Sequence, residues 1–154
     1  MKTSRKEQEQ IKSHESLRLK AYLCPANAWT IGWGHTKGVS SGMEISEQTA
    51  QDFFDSDLAV AENAVIELIG SKLMNYVEQQ EFDAMVSFLY NFGKPKTRNY
   101  TILKVWKTRF QARKDTAESD ELVREWFGKY IHGGGHQLSG LVARREYEAD
   151  LFLS

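Results

Sequence analysis

The chain has 154 residues, 41% of them hydrophobic and 27% charged, with a formal net charge of -1. That apolar content is too high for a disordered polypeptide, and eleven Gly with two Pro exclude collagen-like or low-complexity chains. The one cysteine, Cys24, can close neither an intramolecular disulfide nor a cysteine-based zinc site, so a packed core must hold the chain.

Residues 1–10 carry the positive charge of a signal peptide but no apolar stretch behind it, so no signal peptide and a cytoplasmic start are expected. Ser4-Arg5-Lys6-Glu7 has the pattern of a capping box and predicts a short helix from about residue 5 to His14. Leu17, Leu19, Ala21 and Leu23 then alternate with Arg18, Lys20 and Tyr22, as a half-buried strand does. Pro25-Ala26-Asn27 predicts a turn, and residues 28–33, rich in aromatic and β-branched side chains, a second strand. Turns at 37–38 and 40–42 complete a hairpin or a three-stranded sheet.

From Ser46 the period becomes helical. Phe54, Leu58, Ala61, Val65 and Leu68 recur at spacings of four and three, with Ser46 as N-cap and a stop near Gly70. Phe82, Met85, Val86 and Leu89 mark a second apolar stripe ending at Asn91-Phe92-Gly93. Further helices are expected around residues 101–112, 120–127 and 139–153, the last two separated by the flexible Gly133-Gly134-Gly135. The longest uncharged apolar segment, 84–92, is far short of the ~20 residues of a membrane helix, so no membrane insertion is expected. The expected fold class is α+β, with a small N-terminal β lobe at about 17–45 beside a helical body at about 46–154 that also takes in the first helix. All of 1–154 then forms one domain.

Charge is unevenly spread. Residues 44–83 hold ten acidic side chains against one basic, and residues 94–145 twelve basic against five acidic. This reads either as a surface drawn to anionic partners or as two solvated faces. No zinc-finger, RRM or basic-zipper pattern accompanies it, so nucleic acid is not an expected partner.

The spacing around Cys24 carries the chemistry. Eight residues separate Glu15 from Cys24 and five separate Cys24 from Thr30. A turn at 25–28 brings Cys24 close to the start of the second strand, about one inter-strand spacing of ~5 Å away. The segments 14–22 and 30–36, Thr30-Ile31-Gly32-Trp33-Gly34-His35-Thr36 in the second case, resemble the phage-type (T4-like) lysozymes, glycoside hydrolase family 24. That family's signature is Glu, eight residues, Asp or Cys, five residues, Thr. Gln80 through Gly93 is similar to its central helix, and Trp126 with Gly140 through Glu148 to its closing segments.

The resemblance implies an endolysin muramidase that hydrolyses the β-1,4 bond between N-acetylmuramic acid and N-acetylglucosamine of peptidoglycan. Glu15 is then the proton donor, with Trp29 and Trp33 as candidate apolar neighbours, and Thr30 holds the attacking water. Cys24 stands where relatives carry a carboxylate, as positioner, base or nucleophile. Thr36, Tyr90 and Asn91 match substrate-cleft positions, and His35 pairs with Asp57 in a structural role. No metal and no cofactor is implied. Implied partners are the bacterial wall and a holin-type permeabilising protein; the enzyme is a monomer held in the host cytoplasm until release. Where relatives read Ser-Thr-Leu-Leu leading to Leu-Asn, this chain has Tyr100-Thr101-Ile102-Leu103 leading to Trp106-Lys107. Two rivals remain: a lytic transglycosylase on the same bond, and a non-catalytic peptidoglycan-binding relative.

Overall fold

The structure is a computed structural model and describes residues 1–93, 101–112, 117–133 and 135–154. Tyr100 and Gly134, named above, and parts of the basic stretch lie outside the described residues.

Helix α1 (Arg5–Glu15) opens with the Ser4 side chain accepting the Glu7 N–H at 3.2 Å. Only this half of the expected capping box forms. The Ser4 N–H donates instead to Asp83 Oδ1 at 2.9 Å, and the Glu7 side chain turns inward to accept a 2.5 Å hydrogen bond from the Tyr147 hydroxyl. The local pattern called for a solvated carboxylate, whereas tertiary packing buries it to 2% exposure. Glu62, equally sequestered, accepts from the Thr3 N–H at 2.8 Å and Thr3 Oγ1 at 2.9 Å, which fastens the N-terminus to the body.

Burial pushes the Glu7 carboxyl up to about 7, with Asp83 and Glu148 adding repulsion. Because the folded value lies above the unfolded one, native Glu7 holds its proton where the unfolded chain has lost it. Its stabilising share is therefore complete below the unfolded value near 4.5 and fades as pH rises through about 7. Thermal melts of Glu7→Gln, whose amide oxygen still accepts from Tyr147, are expected to lose less stability over this interval than wild type. The difference is at most roughly 3 kcal/mol across the window. Parallel melting curves for the two proteins would contradict it.

Strands β1 (Arg18–Leu23) and β2 (Trp29–Gly32) pair antiparallel, with Leu23 opposite Trp29 and Tyr22 opposite Thr30. Residues 43–45 add a partial third strand on the far edge of β1, through Ala21 N–H to Met43 O and Ile45 N–H to Leu19 O, each 2.9 Å. So small a sheet covers only part of the alternating row: Leu19 and Ala21 are half-buried, but Leu17 and Leu23 stay exposed. After β2 the chain reverses in a tight turn closed by reciprocal 2.9 Å bonds between Ile31 and His35. Gly32 and Gly34 supply its positive φ values, 64° and 87°.

The body is helical. Helix α2 (Glu47–Ile69) starts at Ser46, whose hydroxyl accepts the Thr49 N–H at 3.1 Å, and stops at Gly70 (φ 88°). A single turn, α3 (Ser71–Met74), follows; its four residues are too few to leave a periodic signal. Helix α4 (Gln79–Phe92) is the hub, with Phe82 through Leu89 buried on every side. Around it lie α5 (Thr101–Ala112), α6 (Ala117–Phe127) and α7 (Ser139–Phe152), with a short β3 (His132–Gly133) and β4 (His136–Gln137) ribbon between α6 and α7. Trp106, Phe88, Phe127 and Phe152 interlock, with Phe88 edge-on to both Trp106 and Phe127 at 5.7 Å. Trp106 is thus core and unavailable for stacking on sugars. No described helix is long and apolar enough to cross a membrane.

Candidate active site

Glu15 occupies the last position of α1, where Ser16 leaves helical geometry at φ 58° while its N–H still bonds to Lys12 O. This ending turns the carboxyl away from the helix toward the Gly32–Gly34 turn. One oxygen, Oε1, accepts from Arg144 Nη1 on α7. The other, Oε2, lies against Gly34: a Cβ built there would stand 3.1 Å from it. Gly34 therefore serves two needs, a positive φ and room for the carboxyl.

The environment of Glu15 differs from the apolar one expected. Trp33 packs edge-on against Phe54 (5.8 Å), with Lys12 Nζ 4.7 Å from its ring centroid, and Trp29 stands 36% exposed at the hairpin end. The main partner is a guanidinium contributed 129 residues later in the chain. A separation of that size has no signature in local sequence.

At the hairpin end, Asn27 N–H bonds to Cys24 O (2.8 Å) with Pro25 at the second turn position, and Asn27 takes φ 61°. The Ala28 carbonyl then receives two donors, the Cys24 N–H and the Thr30 hydroxyl, each at 3.0 Å. Cys24 and Thr30 are thereby tied to one backbone oxygen. Desolvation raises the Cys24 thiol, but hydrogen bonds from the Ala28 N–H, the Thr30 hydroxyl and the Ala26 and Cys24 N–H groups outweigh it and hold the thiol below its ordinary value. The Thr30 hydroxyl has one proton, so it serves the Ala28 carbonyl beside a neutral thiol and can serve the sulfur when the thiolate forms. Thr30 is buried, at 3% exposure, while Cys24 is half-buried.

Tyr22 connects the two halves of this arrangement. It pairs with Thr30 across the strands, and its phenol is raised by burial and by the charges of Glu15 and Cys24 acting on it together. Arg18 lies over its ring at 5.2 Å. Alternation along β1 marks Tyr22 only as a strand residue.

A cleft of about 250 Å³ runs between the turn after β2 and helices α2 and α4, with Gly34, Thr36, Asp57, Leu89 and Tyr90 among its walls. Thr36 is exposed on its rim. The Tyr90 hydroxyl donates to Trp33 O at 2.7 Å, and burial pushes that phenol far up, so it stays protonated and bridges sheet to body. Asn91, one residue on, accepts from Arg145 Nη2 at 2.6 Å and is absent from the walls of this cleft. His35 places Nδ1 2.7 Å from Asp57 Oδ2 and Nε2 2.9 Å from Lys37 O, and stacks on Phe53 at 4.1 Å. Both ring nitrogens are thus engaged between sheet and α2. Lys107 is half-buried on α5. Neither this cleft nor larger cavities of about 300 and 450 Å³ on other faces are lined by Glu15, Cys24 or Thr30; Glu15 reaches the cleft wall through its contact with Gly34. Among the described residues no group of three His, Cys, Asp or Glu could hold a metal ion.

Comparison with known proteins shows the family. The family model described as phage lysozyme matches residues 12–148. An endolysin of Acyrthosiphon pisum secondary endosymbiont phage 1 is 33% identical over 94% of this chain and 92% of its own length. Endolysins of Bacillus phages B103 and PZA also match, and of these the chain spans about half the length. Among solved structures, the muramidase domain of SpmX from Asticaccaulis excentricus superposes with a TM-score of 0.78 at 28% identity, covering 99% of this chain and 98% of that one. The endolysin from Escherichia coli O157:H7 phage FAHEc1 gives 0.77 at 30%, covering 100% and 94%. The family model over residues 12–148 and relatives that share this α+β fold over more than nine tenths of both chains place the chain in the phage lysozyme family.

Proposed function

We propose that Glu15, Cys24 and Thr30 carry out hydrolysis of the β-1,4 bond between N-acetylmuramic acid and N-acetylglucosamine, within an enzyme of lysozyme-type muramidase class. The chain is a phage endolysin lysozyme and peptidoglycan is its substrate. The observation that carries the residue assignment is the division of labour at Glu15: Arg144 occupies Oε1, and Oε2 abuts Gly34 in the wall of the cleft. A glycosidic oxygen is a poor leaving group until protonated, and Oε2 is the oxygen positioned to give it a proton.

On the opposite side of the bond, Thr30 and Cys24 orient the incoming water. The thiolate, which hydrogen bonds around the turn favour, serves as acceptor for a water proton, the part a second carboxylate takes in inverting glycosidases. Thr36 and Tyr90 border the sugar-binding cleft, Asn91 acts from outside its walls through its bond to Arg145, and the His35–Asp57 pair keeps the sheet docked on α2. In this reading the 154 residues work as one monomeric domain, held in the host cytoplasm until a holin-type partner opens the membrane, and the basic stretch 94–145 favours the anionic wall.

Mass analysis of a peptidoglycan digest tests the reaction class. Hydrolysis is expected to leave reducing-end muropeptides, each heavier by one water than the anhydro product of a transglycosylase. Anhydro products would assign the transglycosylase reaction, and an undigested wall a binding protein.

A further inference from the structure

We propose that Glu148 is a positioning residue for proton transfer by Glu15, acting through Arg144; this rests on the assignment of Glu15 as the acid. Arg144 is 3% exposed and its guanidinium is held at three points. Nε donates to Glu148 Oε1 at 3.1 Å, Nη2 to the Ser87 carbonyl at 3.1 Å, and Nη1 to Glu15 Oε1. A guanidinium is planar and rigid, so fixing Nε and Nη2 fixes the direction of Nη1. That direction is toward the acid.

Glu148 is itself held by hydrogen bonds on Oε1 and by an ion pair on Oε2. Ser87 Oγ donates to its Oε1 at 3.0 Å, and Arg145 Nη1 lies 3.2 Å from its Oε2. Both Glu148 and Ser87 are wholly buried, and neither lines the cleft. An exposed glutamate at this point of α7 would contribute little order; one locked between two helices transmits the geometry of α4 and α7 to the end of α1.

The chemical consequence concerns the two oxygens of Glu15. With Arg144 on Oε1, the transferable proton belongs to Oε2, beside Gly34 and the cleft. As that proton leaves for the glycosidic oxygen, negative charge grows on the carboxyl while Arg144 is already in place to receive it. Such an interaction is stronger in the transition state than before it, so it accelerates the step. Glu148 touches neither substrate nor Glu15 and acts only by aiming Arg144.

The test is a double-mutant cycle on soluble muropeptide oligomers, with rates taken per folded molecule. Glu148→Ala is expected to lower kcat about tenfold with KM within twofold, as small misplacements of catalytic groups do. In an Arg144→Ala background the same substitution is expected to change kcat less than twofold. Multiplicative losses, a fall confined to KM, or an unchanged kcat would overturn the proposal. Where Glu148→Ala is recovered unfolded, Ser87→Ala removes the bond to Oε1 and leaves the main-chain carbonyl. It is expected to cost about threefold in kcat, from one weakened hydrogen bond, in the native background and nothing beside Arg144→Ala; the same loss in both backgrounds, or none in the native one, refutes it. An active Glu15→Gln enzyme would remove the underlying reading, whereas an inactive one with fully active Glu148→Ala removes only this proposal.

Discussion

Glu15→Gln is expected to reduce wall-clearing activity by two to four orders of magnitude while leaving the fold intact, the range that loss of a general acid commonly costs. Glutamine keeps the shape of the side chain and an amide oxygen for Arg144 Nη1, so the α1–α7 contact survives in part. What disappears is the proton that Oε2 would deliver beside Gly34. Replacing Glu15 with Asp is the companion experiment: the carboxyl remains but withdraws by one methylene from Arg144 and the cleft, and an intermediate rate is expected. Near-wild-type hydrolysis by a folded Glu15→Gln protein would remove Glu15 from the chemistry and direct attention to Asp57, the cleft carboxylate engaged by His35.

Much of this architecture is written in local patterns. Ser4 and Ser46 as caps, the stop at Gly70, the apolar rows of α2 and α4, and the turn after Cys24 each depend on residues within a few positions of one another. Short-range preferences are strong enough there to decide the outcome. The Glu–Cys–Thr spacing was legible for the same reason, since one hairpin and one helix end set it. What the sequence concealed was long-range. Ser4-x-x-Glu7 matches a capping box, yet Glu7 bonds to Tyr147, 140 residues distant. Trp33 packs edge-on against Phe54, and the charged partner of Glu15 is Arg144, from the far end of the chain. Nor could periodicity show that Glu148 and Arg145 are buried together, because charged residues at helical spacing ordinarily face solvent.

Substitution or modification of Cys24 is expected to have an effect second only to loss of Glu15. Although desolvation raises it, the backbone N–H groups of Ala28, Ala26 and Cys24 and the Thr30 hydroxyl around the turn hold its thiol below the ordinary value, which favours the thiolate. Alkylation is therefore expected to proceed faster than at an ordinary thiol and to abolish activity, since the added group fills the space of the attacking water. Reductant should leave the melting temperature unchanged, because the only cysteine has no disulfide to lose. Cys24→Ala is expected to slow hydrolysis about a hundredfold, the low end for loss of a proton acceptor. Cys24→Asp should keep much of the rate and lose its dependence on pH above neutrality, because a carboxylate there is already ionised where a thiol is still titrating. Cys24→Ser separates the two remaining roles: a hydroxyl can position water but does not ionise near neutral pH, so activity equal to wild type in this variant assigns positioning alone. Full activity in Cys24→Ala, or in the alkylated enzyme, would make the cysteine a bystander and leave Thr30 as the water-handling group of the hairpin.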